Sequence, residues 1–125
     1  MTAIDIGQQD KLETIVELQR AIMKRFGLDG ELSPEKKLQE THRFLTAIIC
    51  EVVEILHEKG GIEKGWKNWE TSGQDPDPAY IKKELIDILH FTIELLILWG
   101  ADAEEIFRVY SAKNAENHKR YDTGY

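Results

Sequence analysis

The chain has 125 residues, a formal net charge of −7 and a single cysteine. That length makes one domain, residues 1–125, able to bury a modest core. The acidity argues against a broad nucleic-acid interface, whose affinity comes from neutralising phosphates, and a lone Cys50 excludes an internal disulfide and suits the reducing cytoplasm.

Three breaks rich in proline and glycine divide the sequence, at Gly27 to Pro34, Gly60 to Pro78 and Gly100. The first segment between them, Gln8 to Phe26, repeats Leu12, Ile15, Val16, Ile22, Met23 and Phe26 at three- and four-residue steps, the pattern of an amphipathic helix, with Gln19 on its apolar stripe. The second, Pro34 to Glu58, opens with Ser33 as N-cap and Pro34 in the first helical position. The third starts at Asp77-Pro78 in the same way and reaches Trp99. Asp87, His90 and Glu94 interrupt its apolar run, so it is not a membrane span, and Met1 to Gln9 lacks the order of a secretion signal. The fourth starts at Asp102, with Glu105 completing an Asp version of the capping box, and is expected to end near His118.

The third helix is apolar on two sides. Ile81, Leu85, Ile88, Leu95 and Trp99 form one stripe; Ile86, Ile93 and Ile97 form another, roughly opposite. A helix apolar on both faces must be buried on both. The expectation is an all-α bundle of four to five helices completed by oligomerisation, as a homodimer or homotetramer.

Carboxylates stand where a core is expected. With about 100° of rotation per residue, Glu51 lies beside the stripe of Thr41, Phe44, Leu45, Ile48, Val52 and Ile55, and Glu54 lies about 60° further round. Glu84 falls within the stripe of Ile81, Ile88 and Leu95, with Asp87 again offset. A carboxylate pair three residues apart is commonly just solvated. Two such pairs encroaching on the most apolar helices must be protonated, paired with cations or bound to metal, and oxygen ligands suit Mg²⁺ or Mn²⁺. Two other readings stay open here. Glu54 with His57, and Asp87 with His90, have the spacing used in di-iron carboxylate bundles, although each histidine lies about 120° from the inner carboxylate of its helix. The carboxylates could also pair with lysines in a helical interaction module without catalysis.

Three stretches in order resemble the all-α NTP pyrophosphatase superfamily, whose members include MazG-type enzymes and the dimeric dUTPases, and are most similar to the latter. They are Trp66-Lys67-Asn68-Trp69 after Glu51-x-x-Glu54; Glu84 to Phe91 around Glu84-x-x-Asp87; and Lys113-Asn114-x-x-Asn117-x-x-Arg120, ending in Gly124-Tyr125. The resemblance runs from about Thr41 to Tyr125. It implies a pyrophosphohydrolase that converts a deoxynucleoside triphosphate to the monophosphate and pyrophosphate, with no membrane or nucleic-acid partner. It implies two or three Mg²⁺ ions on Glu51, Glu54, Glu84 and Asp87, with Glu54 orienting the attacking water. Lys67, Lys113, Asn117, Arg120 and Tyr125 are then expected at the phosphates. Independently, the four-and-three spacing of Lys113, Asn117 and Arg120 aligns them on one helix face, which without a ligand is simply a solvated polar face.

Gln19, Arg20, Met23, Trp69, His90 and Phe91 are expected at the base and sugar. Trp69 and Phe91 have plain packing alternatives, and Cys50 reads as a small buried residue. Two departures stand out: the chain is shorter than dimeric dUTPases, and Arg20 and Met23 occupy the positions where those enzymes carry the Gln and Asn that read uracil. The substrate expectation is therefore dUTP first, with dCTP or dGTP as alternatives.

Overall fold

A computed structural model describes residues 10–57 and 77–124. Within them the chain is all-α: α1 (Lys11–Arg25), α2 (Pro34–His57), α3 (Pro78–Leu98) and α4 (Ala103–Thr123). No strand occurs among the described residues.

Side chains at the helix starts satisfy backbone N–H groups that have no intrahelical partner. Asp10 Oδ1 accepts from the Glu13 N–H at 3.0 Å and caps α1 at Lys11, while Gln8, where the expected segment opens, lies outside the described residues. Ser33 Oγ accepts from Lys36 N–H at 3.1 Å, and Asp77 Oδ1 from Ala79 N–H at 3.0 Å. Asp102 Oδ1 accepts from Glu105 N–H at 2.8 Å. α4 runs on to Thr123, a full turn past the expected end, because nothing between His118 and Gly124 breaks it. Three helices end at a glycine of positive φ, α4 at Gly124 with φ +93, and two of these ends are closed by a backbone hydrogen bond. Gly27 has φ +74, and Leu28 N–H reaches back to Met23 C=O at 2.9 Å. Gly100 has φ +90, and Ala101 N–H bonds Leu96 C=O at 2.9 Å. A side chain at either glycine would strain this closure.

The helices group into two compact units. One holds α1, α4 and the end of α3 from Leu96. Here α1 buries Val16, Gln19 and Met23 along one line, while Ile15, Ile22 and Phe26 of the expected stripe stay exposed. α4 buries no residue.

The other unit holds α2 and α3 up to Leu95. Glu51 meets Glu84, Phe44 meets Phe91 with ring centroids 6.0 Å apart, and Glu40 and Arg43 act on Glu94. Partners descend α2 while they ascend α3, so the two helices run antiparallel. Phe44, Ile55 and Ile93 are buried. The second stripe of α3 is not uniform: Ile93 is buried and Ile97 half-buried, but Ile86 is exposed. Leu85 and Leu89 are exposed too, as are Ile49, Val52 and Val53 of α2. Cys50 is exposed, which corrects the expectation that it is a small buried residue: it lies a full helical step off the buried line of Phe44 and Ile55. No described helix is long and apolar enough to cross a membrane.

Candidate active site

The antiparallel register of α2 and α3 brings two carboxylate pairs to one level. Ligand-capable oxygens of Glu51, Glu54 and Glu84 all lie within 4.8 Å of one another. Glu51 and Glu84 are half-buried and Glu54 is exposed, so the group spans the boundary between the helix pair and solvent. Asp87 is half-buried and close enough for its charge to act on Glu51.

Like charges at this density cannot all be ionised without compensation. Glu51 bears the strain: a hydrogen bond with Glu84, then burial, then the charges of Glu54, Glu84 and Asp87 push its carboxyl up to about 7. Its Oε2 is buried and has no hydrogen-bond partner among the described residues. An orphaned carboxylate oxygen beside two more carboxylates fits a hard divalent cation, which would supply the missing partner and the missing positive charge together. His57 and His90 are exposed, and the group is carboxylate only, which is not the donor set of a di-iron centre.

Phe91 is half-buried and tilted at 34° against Phe44, so one of its faces is committed to packing, and His90 beside it is exposed. Lys67, Trp66, Trp69 and Tyr125 lie outside the described residues.

The other expected site residues belong to the unit of α1 and α4. Gln19 and Met23 are buried on one side of α1. Arg20 is exposed and lines an open cleft of ≈ 660 Å³ with Asp10, Glu13, Glu17, Asp102 and Glu104, so the two positions expected to read the base point to different surroundings. On α4, Lys113 and Asn117 are exposed, and Arg120 donates to Glu116 at 2.7 Å across one helical turn. Both partners are more than half or about half exposed, at 59% and 50%, so the pair is cheap to exchange for a stronger anion.

Two buried carboxylates escaped the sequence reading. Glu40 and Glu94 are 2% and 3% exposed. Glu40 is neutralised by Lys36 at 3.0 Å and Arg43 at 3.4 Å. Burial pushes Glu94 up to about 7, with Arg43 opposing the shift and Glu40 adding to it. The signal was present in the spacing: Glu94 is seven residues from Asp87 and Glu40 eleven from Glu51, so each repeats the face of a site carboxylate.

Residues 11–99 match the family described as dUTPase. The chain is 28% identical to a dCTP pyrophosphatase of Enterobacteria phage T4 over 94% of this chain and 84% of that protein. It is 32% identical to a dCTP pyrophosphatase of Enterobacteria phage LZ5 over 93% of this chain and 83% of the relative. A DNA replication protein of phage T4 is 27% identical over 86% of this chain, which spans 34% of that protein. No solved structure matches.

Proposed function

This chain belongs to the dUTPase family and is a nucleotide pyrophosphohydrolase, and from that premise we propose that it converts a pyrimidine deoxynucleoside triphosphate to the monophosphate and pyrophosphate with Mg²⁺. The observation that carries the metal dependence is the convergence of Glu51, Glu54 and Glu84 oxygens within 4.8 Å, with Glu51 Oε2 orphaned. dCTP is the first substrate to test, because the two phage relatives are dCTP pyrophosphatases. dUTP stands second, since Arg20 and Met23 replace the residues expected for uracil, and dGTP third.

Glu51, Glu54, Glu84 and Asp87 would hold two or three Mg²⁺ ions, with Mn²⁺ able to replace them. Once bound, the ions would screen the triphosphate from the carboxylates and stabilise charge developing at phosphorus. The chain's own groups do the rest. Glu54, the exposed member of the cluster, orients the attacking water and takes its proton. For the phosphates, the family resemblance supports Arg120, whose guanidinium can bind bidentately, with Lys67, Lys113, Asn117 and Tyr125. For the base and sugar, the family resemblance supports Gln19, Arg20, Met23, Trp69, His90 and Phe91 as the contacts.

The exposed apolar residues of α2 and α3 support assembly as a homodimer or homotetramer, and deoxynucleotide pools together with one exposed thiol suit the cytoplasm. The deciding experiment incubates the protein with every dNTP and NTP, with Mg²⁺ or with EDTA, and identifies the products. The expected result is dCMP and pyrophosphate from dCTP, only with the metal. Formation of dCDP and inorganic phosphate, or hydrolysis indifferent to EDTA, would refute the reading.

A further inference from the structure

The unit of α2 and α3 holds a buried group that the chemistry above leaves unused. Glu94 is 3% exposed, and its Oε1 has no hydrogen-bond partner among the described residues. Its neighbour Glu40 takes both nearby ion pairs, with Lys36 and Arg43, so the cations of this layer are largely spoken for. A carboxyl oxygen removed from water and, among the described residues, without a hydrogen-bond partner is a poor structural element, and a native chain that keeps one calls for a reason.

Its position supplies one. Asp87, Phe91 and Glu94 stand at i, i+4 and i+7 on one face of α3, which spreads them over about 10 Å of helix axis. Phe91 between them is braced by Phe44 at 6.0 Å. Read along the helix, this face, which packs against α2, carries a carboxylate whose charge acts on Glu51 of the cluster, then an aromatic ring, then a buried hydrogen-bond acceptor. A nucleoside triphosphate presents the complementary series: phosphates, then sugar and base ring, then the polar edge of the base.

We propose that Glu94 is a specificity-determining residue that accepts a hydrogen bond from the exocyclic amine of a cytosine base in the substrate. The proposal rests on the pyrophosphohydrolase reading above and adds the group that selects the base. On the alkaline side of about 7, where the Glu94 carboxyl is ionised and where the test is run, it only accepts hydrogen bonds. Cytosine offers its N4 amine as a donor at the position where uracil, like thymine, carries the O4 acceptor. Glu94 therefore gains a partner from cytosine and faces a second acceptor with uracil. A site whose buried polar group goes unpaired with the wrong substrate discriminates far more strongly than one that relies on shape. Glu94 is covered by its neighbours, so admission of the base requires the side chains that cover it to move.

The test compares kcat/KM for dCTP and dUTP, with Mg²⁺, in the wild-type protein and in Glu94→Gln. The amide both donates and accepts, so it admits uracil. The dCTP:dUTP ratio is expected to fall at least tenfold, carried mainly by the KM for dCTP. An unchanged ratio with both substrates still hydrolysed overturns the proposal. A second measurement needs neither metal nor a variant that folds: wild-type protein carrying carboxyl-labelled Glu is titrated with dCMP and with dUMP. dCMP is expected to move the Glu94 carboxyl resonance and dUMP to leave it. No binding of dCMP, or binding that leaves the signal in place, overturns the proposal as well. If the wild-type protein hydrolyses no dNTP, the pyrophosphohydrolase reading fails by itself, and the resonance still judges Glu94.

Discussion

Removing the ionisable oxygen of Glu94 should make the protein more stable, by an amount that depends on pH. Its carboxyl is raised from 4.5 to about 7, chiefly by burial. A raised folded value means that the folded chain holds the proton more tightly than the unfolded chain. The stability this contributes is fully present below 4.5 and is lost as the pH climbs to about 7. With about 1.4 kcal/mol per pH unit, the loss is on the order of 3 kcal/mol once both states are ionised. Gln has nearly the same shape and does not titrate. Glu94→Gln should therefore exceed the wild type by on the order of 3 kcal/mol at about pH 8, which is roughly 10 °C in Tm for a chain of this size. Near pH 5 the advantage should shrink to less than about 1 kcal/mol. Thermal melts of both proteins in EDTA at the two pH values provide the assay. A variant that melts below the wild type at about pH 8, or whose advantage is the same at both pH values, would show that desolvation of this carboxylate is not the cost argued here. Stability gained with base selectivity lost is the trade expected of a buried recognition group.

The cluster of Glu51, Glu54 and Glu84 leads to a parallel expectation: Glu51→Gln or Glu84→Gln should lose hydrolysis yet stay helical, and circular dichroism with a turnover assay checks both. For Glu51 the raised value again places the metal-free stability on the acid side, present below 4.5 and lost as pH rises to about 7. Mg²⁺ should accordingly raise the Tm of the wild type at neutral pH and not that of Glu51→Gln; an equal rise in both would remove Glu51 from the ligand set. Arg120→Ala should cost a few kcal/mol in kcat/KM, by a similar factor for dCTP, dUTP and dGTP, because phosphates carry no base information. Met23→Asn should instead change the ranking of bases; if Arg120→Ala reorders them, the division into a phosphate end and a base end is wrong. Light scattering at micromolar concentration should find a species larger than the 14.4 kDa chain, and a monomer alone would contradict assembly through α2 and α3.

The local features were legible in the sequence because their causes lie within a few residues. Ser33 before Pro34, Asp77 before Pro78, and Asp102 before Glu105 mark helix starts through hydrogen bonds that span two or three positions. The carboxylates of α2 and α3 were also visible, since helical periodicity alone places Glu51 and Glu84 against apolar stripes. Lys67, Trp69 and Tyr125 were readable only through family resemblance, as no periodic pattern constrains them.

Periodicity gives the face of one helix and says nothing about which turn of its neighbour it meets. That choice belongs to the antiparallel register of α2 on α3, which sets Glu51 against Glu84, Phe44 against Phe91, and Glu40 with Arg43 near Glu94. Register alone turned Phe91 into a braced aromatic and Glu94 from an interruption in an apolar run into a buried acceptor with no hydrogen-bond partner for its Oε1 among the described residues. Cys50 shows the same limit, since a small apolar residue in an apolar segment is buried only if another element covers its side of the helix, and none of the described elements does. The sequence by itself determined four helices and the residue types able to bind metal and phosphate. Tertiary structure decided which carboxylates share one space and which stand alone, because those outcomes depend on contacts between residues more than thirty positions apart.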